Sequence, residues 1–337
     1  MERKLPDELI SDISAKKVIV SILLTIFIVG IINFMAYEYL KEHTPNLGYE
    51  INFKKWKILS ELDGKKDWLI LGDSTCNQGI DPSIIKKDLD VDAVNLCTIG
   101  SMLTVGDSWM LELYIKKNGP PKDVLIVHAY DVLDRMDISL SSVSQLPLDV
   151  LFHNEPQPWS FSIGDRMQLY FYKYFPLYSQ SASLTELISG TFYAYSNNPR
   201  NSHIFSDSGF MIENLSDSAS VRKDTEDHIK FVSNRKFEPS VENLKGLENI
   251  KYLSEKYNFN VYLAVGPIHD KLYANQEFKR YYGELRDFQK NFCEGSRNMH
   301  FISDEPATFS ENEMSSSDHV VGDAATIYTR DMISKIK

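Results

Sequence analysis

Cysteine is scarce in this chain, with three residues in 337, at positions 76, 97 and 293. That number excludes a disulfide-framework fold, and the spacings match no zinc-ligand pattern. Positive charge is also short: 36 Lys and Arg stand against 47 Asp and Glu, a formal net charge of −11. A surface of that sign repels phosphate backbones, so no nucleic-acid partner is expected. Internal repeats and low-complexity tracts are missing as well. At 43% hydrophobic and 25% charged, the composition is that of a globular protein and not of a disordered one.

Charge is absent altogether from residues 18–37, where Ser21, Thr25 and Asn33 are the clearly polar members. A helix of this length covers the roughly 30 Å of a bilayer's hydrocarbon core. The run is long for a signal peptide and no small-x-small cleavage site follows it, so it reads as an uncleaved transmembrane anchor in contact with the lipid bilayer. Lys16 and Lys17 precede it, whereas Glu38, Lys41 and Glu42 follow, which favours a cytoplasmic segment 1–17. Acids and bases balance in residues 1–37, so the whole −11 lies beyond them. Residues 38–65 read as a juxtamembrane connector and 66–337 as an extracytoplasmic domain.

Within that domain, 68–71, 93–96, 124–127, 260–265 and 300–302 read as short buried strands. Helices are predicted after Asp81-Pro82, over 103–117, over 244–257 and over 324–336. The alternation predicts an α/β fold with a mainly parallel sheet. Ligands bind such sheets at the carboxyl ends of the strands, which puts Ser74, Gly100 and the residues after Val127 on one rim. An aromatic-rich insertion at about 136–241 interrupts the pattern. Its aromatics suit either a sugar-stacking platform or a core, with Trp109 and Trp159 as the tryptophans to follow.

The segment Leu69-Ile70-Leu71-Gly72-Asp73-Ser74 delivers a hydroxyl at the end of a buried strand, the setting of an exposed nucleophile. Gly106-Asp107-Ser108 repeats the tripeptide inside a helical pattern with no strand before it, and reads as a helix-surface coincidence. A serine nucleophile needs a base, and His319, in Ser315-Ser316-Ser317-Asp318-His319 ahead of the last helix, is the best placed. Cys76 lies two residues after Ser74 and Cys97 two after Asn95. Two small buried thiols is the plainer reading; a disulfide bracing the rim is the alternative.

An early strand-end Gly-Asp-Ser with a late Asp/His loop resembles the SGNH (GDSL-type) hydrolase superfamily. The resemblance implies a flavodoxin-like three-layer sandwich, with Ser74 as nucleophile and His319 as general base. It also implies an oxyanion hole from the N–H groups of Ser74 and Gly100. Two blocks depart from the pattern. His128-Ala129-Tyr130-Asp131 stands where Gly-x-Asn-Asp is expected, and Ser316 occupies the position three before His319 where an acid is expected. Asp318 then orients the histidine, or the site works as a Ser–His dyad. Asp73, Asn95, His128, Tyr130, Asp131 and Ser316 are the candidate pocket residues.

The anchor, "PPKDVLIV" before the third strand and Asp318-His319 with Gly322 and Tyr328-Thr329 are similar to a membrane-anchored branch of that superfamily. This branch, D-alanyl transfer protein-like, is associated with cell-envelope polysaccharide O-acylation. It implies a serine acyltransferase or esterase acting on a cell-surface glycan, with a membrane-embedded O-acyltransferase as partner and with no metal or organic cofactor. The acidic surface suits a neutral glycan better than a strongly anionic one. The departures equally suit an adaptor that binds glycan or acyltransferase and has lost catalysis.

Overall fold

The computed structural model describes residues 15–42, 47–144, 162–181, 185 and 204–336. Helix α1 (Ala15–Glu42) carries the uncharged run and is long and apolar enough to cross a bilayer. It is followed by α2 (Leu47–Glu61), β1 (Trp68–Gly72), α3 (Ser74–Gly79), α4 (Pro82–Leu89), β2 (Ala93–Asn95), α5 (Leu103–Asn118) and β3 (Asp123–His128). The insertion contributes α6 (Ile163–Tyr174), α7 (Pro176–Ser179), a hairpin of β4 (Ile204–Phe205) and β5 (Met211–Ile212), and α8 (Ser218–Val232). Then come α9 (Val241–Tyr257), β6 (Asn260–Val265), β7 (Ile268–His269), α10 (Gln276–Cys293) and β8 (Met299–Phe301). The chain closes with β9 (Thr308–Phe309), β10 (Met314–Ser316), β11 (His319–Val320) and α11 (Asp323–Ile336).

The central sheet runs β2-β1-β3-β6-β8 with every neighbouring pair parallel. Counted along the chain this is the 2-1-3-4-5 order of the flavodoxin-like doubly wound fold. Side chains alternate across it. Leu69, Leu71, Val124, Ile126, Val261 and Leu263 join α5, α9 and α10 in one core; Trp68, Ile70, Leu125, Val127 and Ala264 join α3, α4 and α11 in a second. Strands buried on both faces have no polar alternation, which is why 68–71 and 124–127 read as unbroken apolar runs. The predicted cap at α4 is present: Asp81 accepts from the Ser83 N–H and Pro82 takes the first helical position.

Three sequence readings change here. Most of the connector is α2, whose Ile51, Trp56 and Leu59 are buried against the domain. Trp109 is 2% exposed inside the larger core, so it presents no face to a sugar; Trp159 lies outside the described residues. The second Gly-Asp-Ser is helical, in α5, but Asp107 and Ser108 are buried and not on the surface. Within the insertion, α8 packs on the rest of the domain, with Val221 in one core and Val232 in the other.

Candidate active site at the switch point

The strand order reverses between β1 and β3, and the carboxyl ends of the strands at such a point are where sheets of this kind bind ligands. Gly72 ends β1 with φ at 137°, where an added Cβ would lie 1.8 Å from the Val127 carbonyl oxygen. Only glycine lets the turn start this close to β3. Asp73 caps α3: its Oδ1 accepts from the Thr75 N–H at 2.9 Å and the Thr75 hydroxyl at 2.7 Å. Its Oδ2 accepts from the Ala129 N–H at 2.7 Å, tying the turn to the end of β3. Ser74 is thereby the first residue of α3, half-buried, with an N–H that has no acceptor within the helix.

The β1–β2 pairing brings the loop after each strand together, and Cys76 and Cys97 are bridged, with Cα atoms 5.8 Å apart. The reading of two separate thiols is therefore corrected. The Thr98 N–H donates to the Gly72 carbonyl at 2.8 Å, and the Asn77 amide to the Thr98 carbonyl at 2.7 Å. Asn95 is wholly buried: its amide donates to the Cys76 and Ile80 carbonyls, and its Oδ1 accepts from the Cys97 N–H and from Lys55 Nζ. It braces the loops behind the rim from a fully buried position. Lys55 reaches it from α2, and burial pushes its pKa well below the usual lysine value.

Gly100 opens the next loop. A Cβ there would lie 2.3 Å from Arg135 Nη1, so the absence of a side chain makes room for the guanidinium. Arg135 pairs with both oxygens of Asp131, at 3.0 and 2.9 Å from Nη2. Tyr130 is buried, its ring edge-on to Phe278 at 4.7 Å and to His228 at 5.5 Å. Its hydroxyl is enclosed, with no hydrogen-bond partner among the described residues.

His319 starts β11, which pairs with β10 and packs against α3. Its Nδ1 lies 2.6 Å from Asp318 Oδ1 and 2.7 Å from Ser316 Oγ, and the Ser316 hydroxyl donates to the same carboxylate oxygen at 2.8 Å. With the Nδ1 proton given to Asp318, Nε2 is the basic nitrogen. Burial disfavours the imidazolium, but the Asp318 carboxylate outweighs it and His319 titrates above its ordinary value. Burial likewise disfavours the Asp318 charge, yet His319 and the Ser316 hydroxyl hold that carboxyl well below the carboxylate range. The acid adjacent to the histidine reaches it because the hairpin register shifts between Met314 and Ser316 and sets Ser316 opposite His319.

Four further groups gather here that the sequence reading passed over: Asp107, Arg135, Asp224 and His228. His128 lies behind the turn that carries Ser74, Nε2 at 2.6 Å from Asp107 Oδ2 and Nδ1 at 3.7 Å from Asp73 Oδ2. The second distance is an ion pair and too long for a hydrogen bond. Burial opposes the His128 charge, but the two carboxylates push its pKa up to about 10. Burial opposes the Asp73 charge too, and His128, Thr75 and Ala129 together bring that carboxyl below its ordinary value. From α8, Asp224 accepts the Ser317 hydroxyl at 2.7 Å, and His228 Nδ1 lies 2.6 Å from the same Oγ. Only the duplicated tripeptide pointed at one of the four, Asp107; the others are brought in by long-range packing.

No family model and no curated protein matches this sequence. Among solved structures the chain is similar to one described as "a putative platelet activating factor from Streptococcus pneumonia". Identity is 9% and the TM-score 0.42, over 90% of this chain and 99% of that one. At that level the likeness assigns no function, and the α/β fold stands on its own strand order.

Proposed function

We propose that this chain is a membrane-anchored serine acyltransferase or esterase acting on acyl groups of a cell-surface glycan. The observation that carries this reading is the Ser316–Asp318–His319 arrangement, with Nδ1 held at 2.6 Å by a carboxylate on a hairpin packed against the helix that Ser74 begins. In this reading His319 Nε2 takes the Ser74 proton as Oγ bonds to the acyl carbonyl carbon. The tetrahedral intermediate then expels the donor alcohol, which leaves with that proton, and an acyl-serine remains. A glycan hydroxyl or water, deprotonated by His319, attacks the acyl-serine and regenerates Ser74. The N–H groups of Ser74 and Gly100 stabilise the oxyanion, each by about 3 kcal/mol. Arg135 over Gly100 adds positive charge beside that loop.

Residues 18–37 serve as the span, with the N-terminus cytoplasmic and the domain outside. The Cys76–Cys97 bridge supports that side, because such bonds persist in oxidising compartments. An acyl group reaches that side through a membrane-embedded O-acyltransferase, the partner this reading requires. Ser74→Ala in cells should abolish glycan acylation at unchanged protein level, and normal acylation in that strain would refute catalysis. Assaying an O-acetylated sugar for free against transferred acetate separates esterase from transferase.

A second reading, an adaptor without catalysis, is favoured by one observation: Arg135 and Asp131 pair across the Gly100 loop where an oxyanion donor would act. It predicts the opposite result, acylation retained in Ser74→Ala and lost on removing the domain.

A further inference from the structure

Among the described side chains of α1, one is buried, and it is a polar one: Asn33, 8% exposed within the uncharged run. What covers it comes from the insertion. Its amide donates to the Tyr174 carbonyl at 2.6 Å, its Oδ1 faces the Leu177 N–H at 3.5 Å, and Tyr37 sets its ring 6.3 Å from that of Tyr174. Tyr174 is the last residue of α6 and Leu177 lies in the first turn of α7. Groups at such helix ends have no partner within their own helix and are left to water when a helix end is in solution. Here a side chain of the apolar helix satisfies them, as a medium without water demands.

The outward face of α6 is apolar. Ile163, Met167, Tyr170, Phe171 and Tyr174 are all exposed, between 46% and 81%, as is Tyr178 of α7. On an ideal helix, positions 163, 167, 170, 171 and 174 fall within an arc of about 100°. Leu169, on another side, is buried in the domain core, so this stripe is not the face that holds α6 to the protein. Tyr170 and Tyr174 stand among Ile163, Met167 and Phe171, amphipathic rings amid apolar side chains, a mixture of the kind found where membrane meets water. Asn33 lies four residues before Tyr37, the end of the uncharged run, which is about 6 Å along a helix axis. That depth matches the roughly 5–10 Å to which interfacial helices sink.

We propose that α6 and α7 form a second membrane contact, lying in the headgroup–acyl boundary of the leaflet from which α1 emerges, with the stripe of Ile163, Met167, Tyr170, Phe171 and Tyr174 turned into the lipid. The occupant of this face is the bilayer, because the face is continuous, through Asn33 and Tyr37, with the helix that enters it. The inference rests on the reading of α1 as a membrane span.

The test uses the full chain in phospholipid vesicles with an environment-sensitive fluorophore on one introduced cysteine. Cys76 and Cys97 are bridged and Cys293 is buried, so the new thiol is the accessible one. Leu24→Cys reads the span, Tyr170→Cys and Met167→Cys read α6, and Lys87→Cys on α4 is the reference. Lipids carry a nitroxide near the top of the acyl chain or near its end. The α6 labels should be quenched roughly threefold more than Lys87→Cys, and more by the shallow nitroxide than by the deep one. Leu24→Cys should show the reverse depth preference. Quenching at Leu24→Cys with both α6 labels matching Lys87→Cys overturns the second contact and leaves the span standing. An unquenched Leu24→Cys overturns the span and this inference with it. Protease resistance equal to the parent chain identifies the variants that have folded, and two α6 positions guard against the loss of one.

Discussion

Gly-Asp-Ser occurs twice, and the two aspartates meet on the two ring nitrogens of one histidine. Asp73 faces His128 Nδ1 and Asp107 holds Nε2, yet the serines that follow them have opposite fates. Ser74 comes two residues after the end of β1, half-buried at the start of α3. Ser108 sits inside α5, fully buried, its hydroxyl taken by the Asn249 amide. The tripeptide is thus not the signal for a nucleophile. A buried strand that ends at a glycine pressed against its neighbour is what turns the first serine outward.

The sharpest way to break this comparison is to remove each hydroxyl in turn. Ser74→Ala should lower ester hydrolysis by roughly 10³-fold or more. Ser108→Ala should leave the rate within a factor of about two and cost about 1 kcal/mol of stability, through the unpaired Asn249 amide. The aspartates come next. Asp73→Ala or Asp107→Ala leaves a buried imidazolium short of a partner, and each should cost about 3–5 kcal/mol in urea unfolding. Asp73→Ala should cost about 1 kcal/mol more because it also uncaps α3.

The shared histidine gives this cluster a pH signature. Its pKa is raised in the fold to about 10, so its contribution is complete below the unfolded value near 6.5 and is lost as pH rises through about 10. The urea midpoint should fall from pH 7 to 10, and His128→Gln should flatten that fall. Smaller in expected effect is the bridge between the first Gly-Asp-Ser helix and the Gly100 loop. Cys97→Ser opens a link between residues 21 apart and should cost about 3 kcal/mol or somewhat less, with no counterpart near Ser108.

Much of the fold was legible because its signals are local. The unbroken apolar runs named the strands within a residue or two, and Asp81-Pro82 named a helix start. Ser74, Gly100 and His319 could be proposed as site residues because each follows a strand end or precedes a helix, which a linear reading can register. Arg135 over Gly100, Lys55 under Asn95 and His228 against Ser317 were not, because each acts across tens of residues of chain through tertiary packing. The Cys76–Cys97 bridge fell between the two kinds: neighbouring strands made it geometrically open, and only the folded loops decide it. The contact of α1 with α6 was illegible for a similar reason, since Asn33 in isolation is one polar residue in an apolar run.

The central claim, that Ser74 is an activated nucleophile and its twin is not, is tested most directly by fluorophosphonate labelling of the intact protein, followed by peptide mapping across pH. The account predicts label on Ser74 alone, absent from Ser74→Ala. It also predicts a labelling rate that rises as His319 loses its proton, at a pH above the ordinary histidine value of about 6.5. An unlabelled native protein, or label retained in Ser74→Ala, would contradict it.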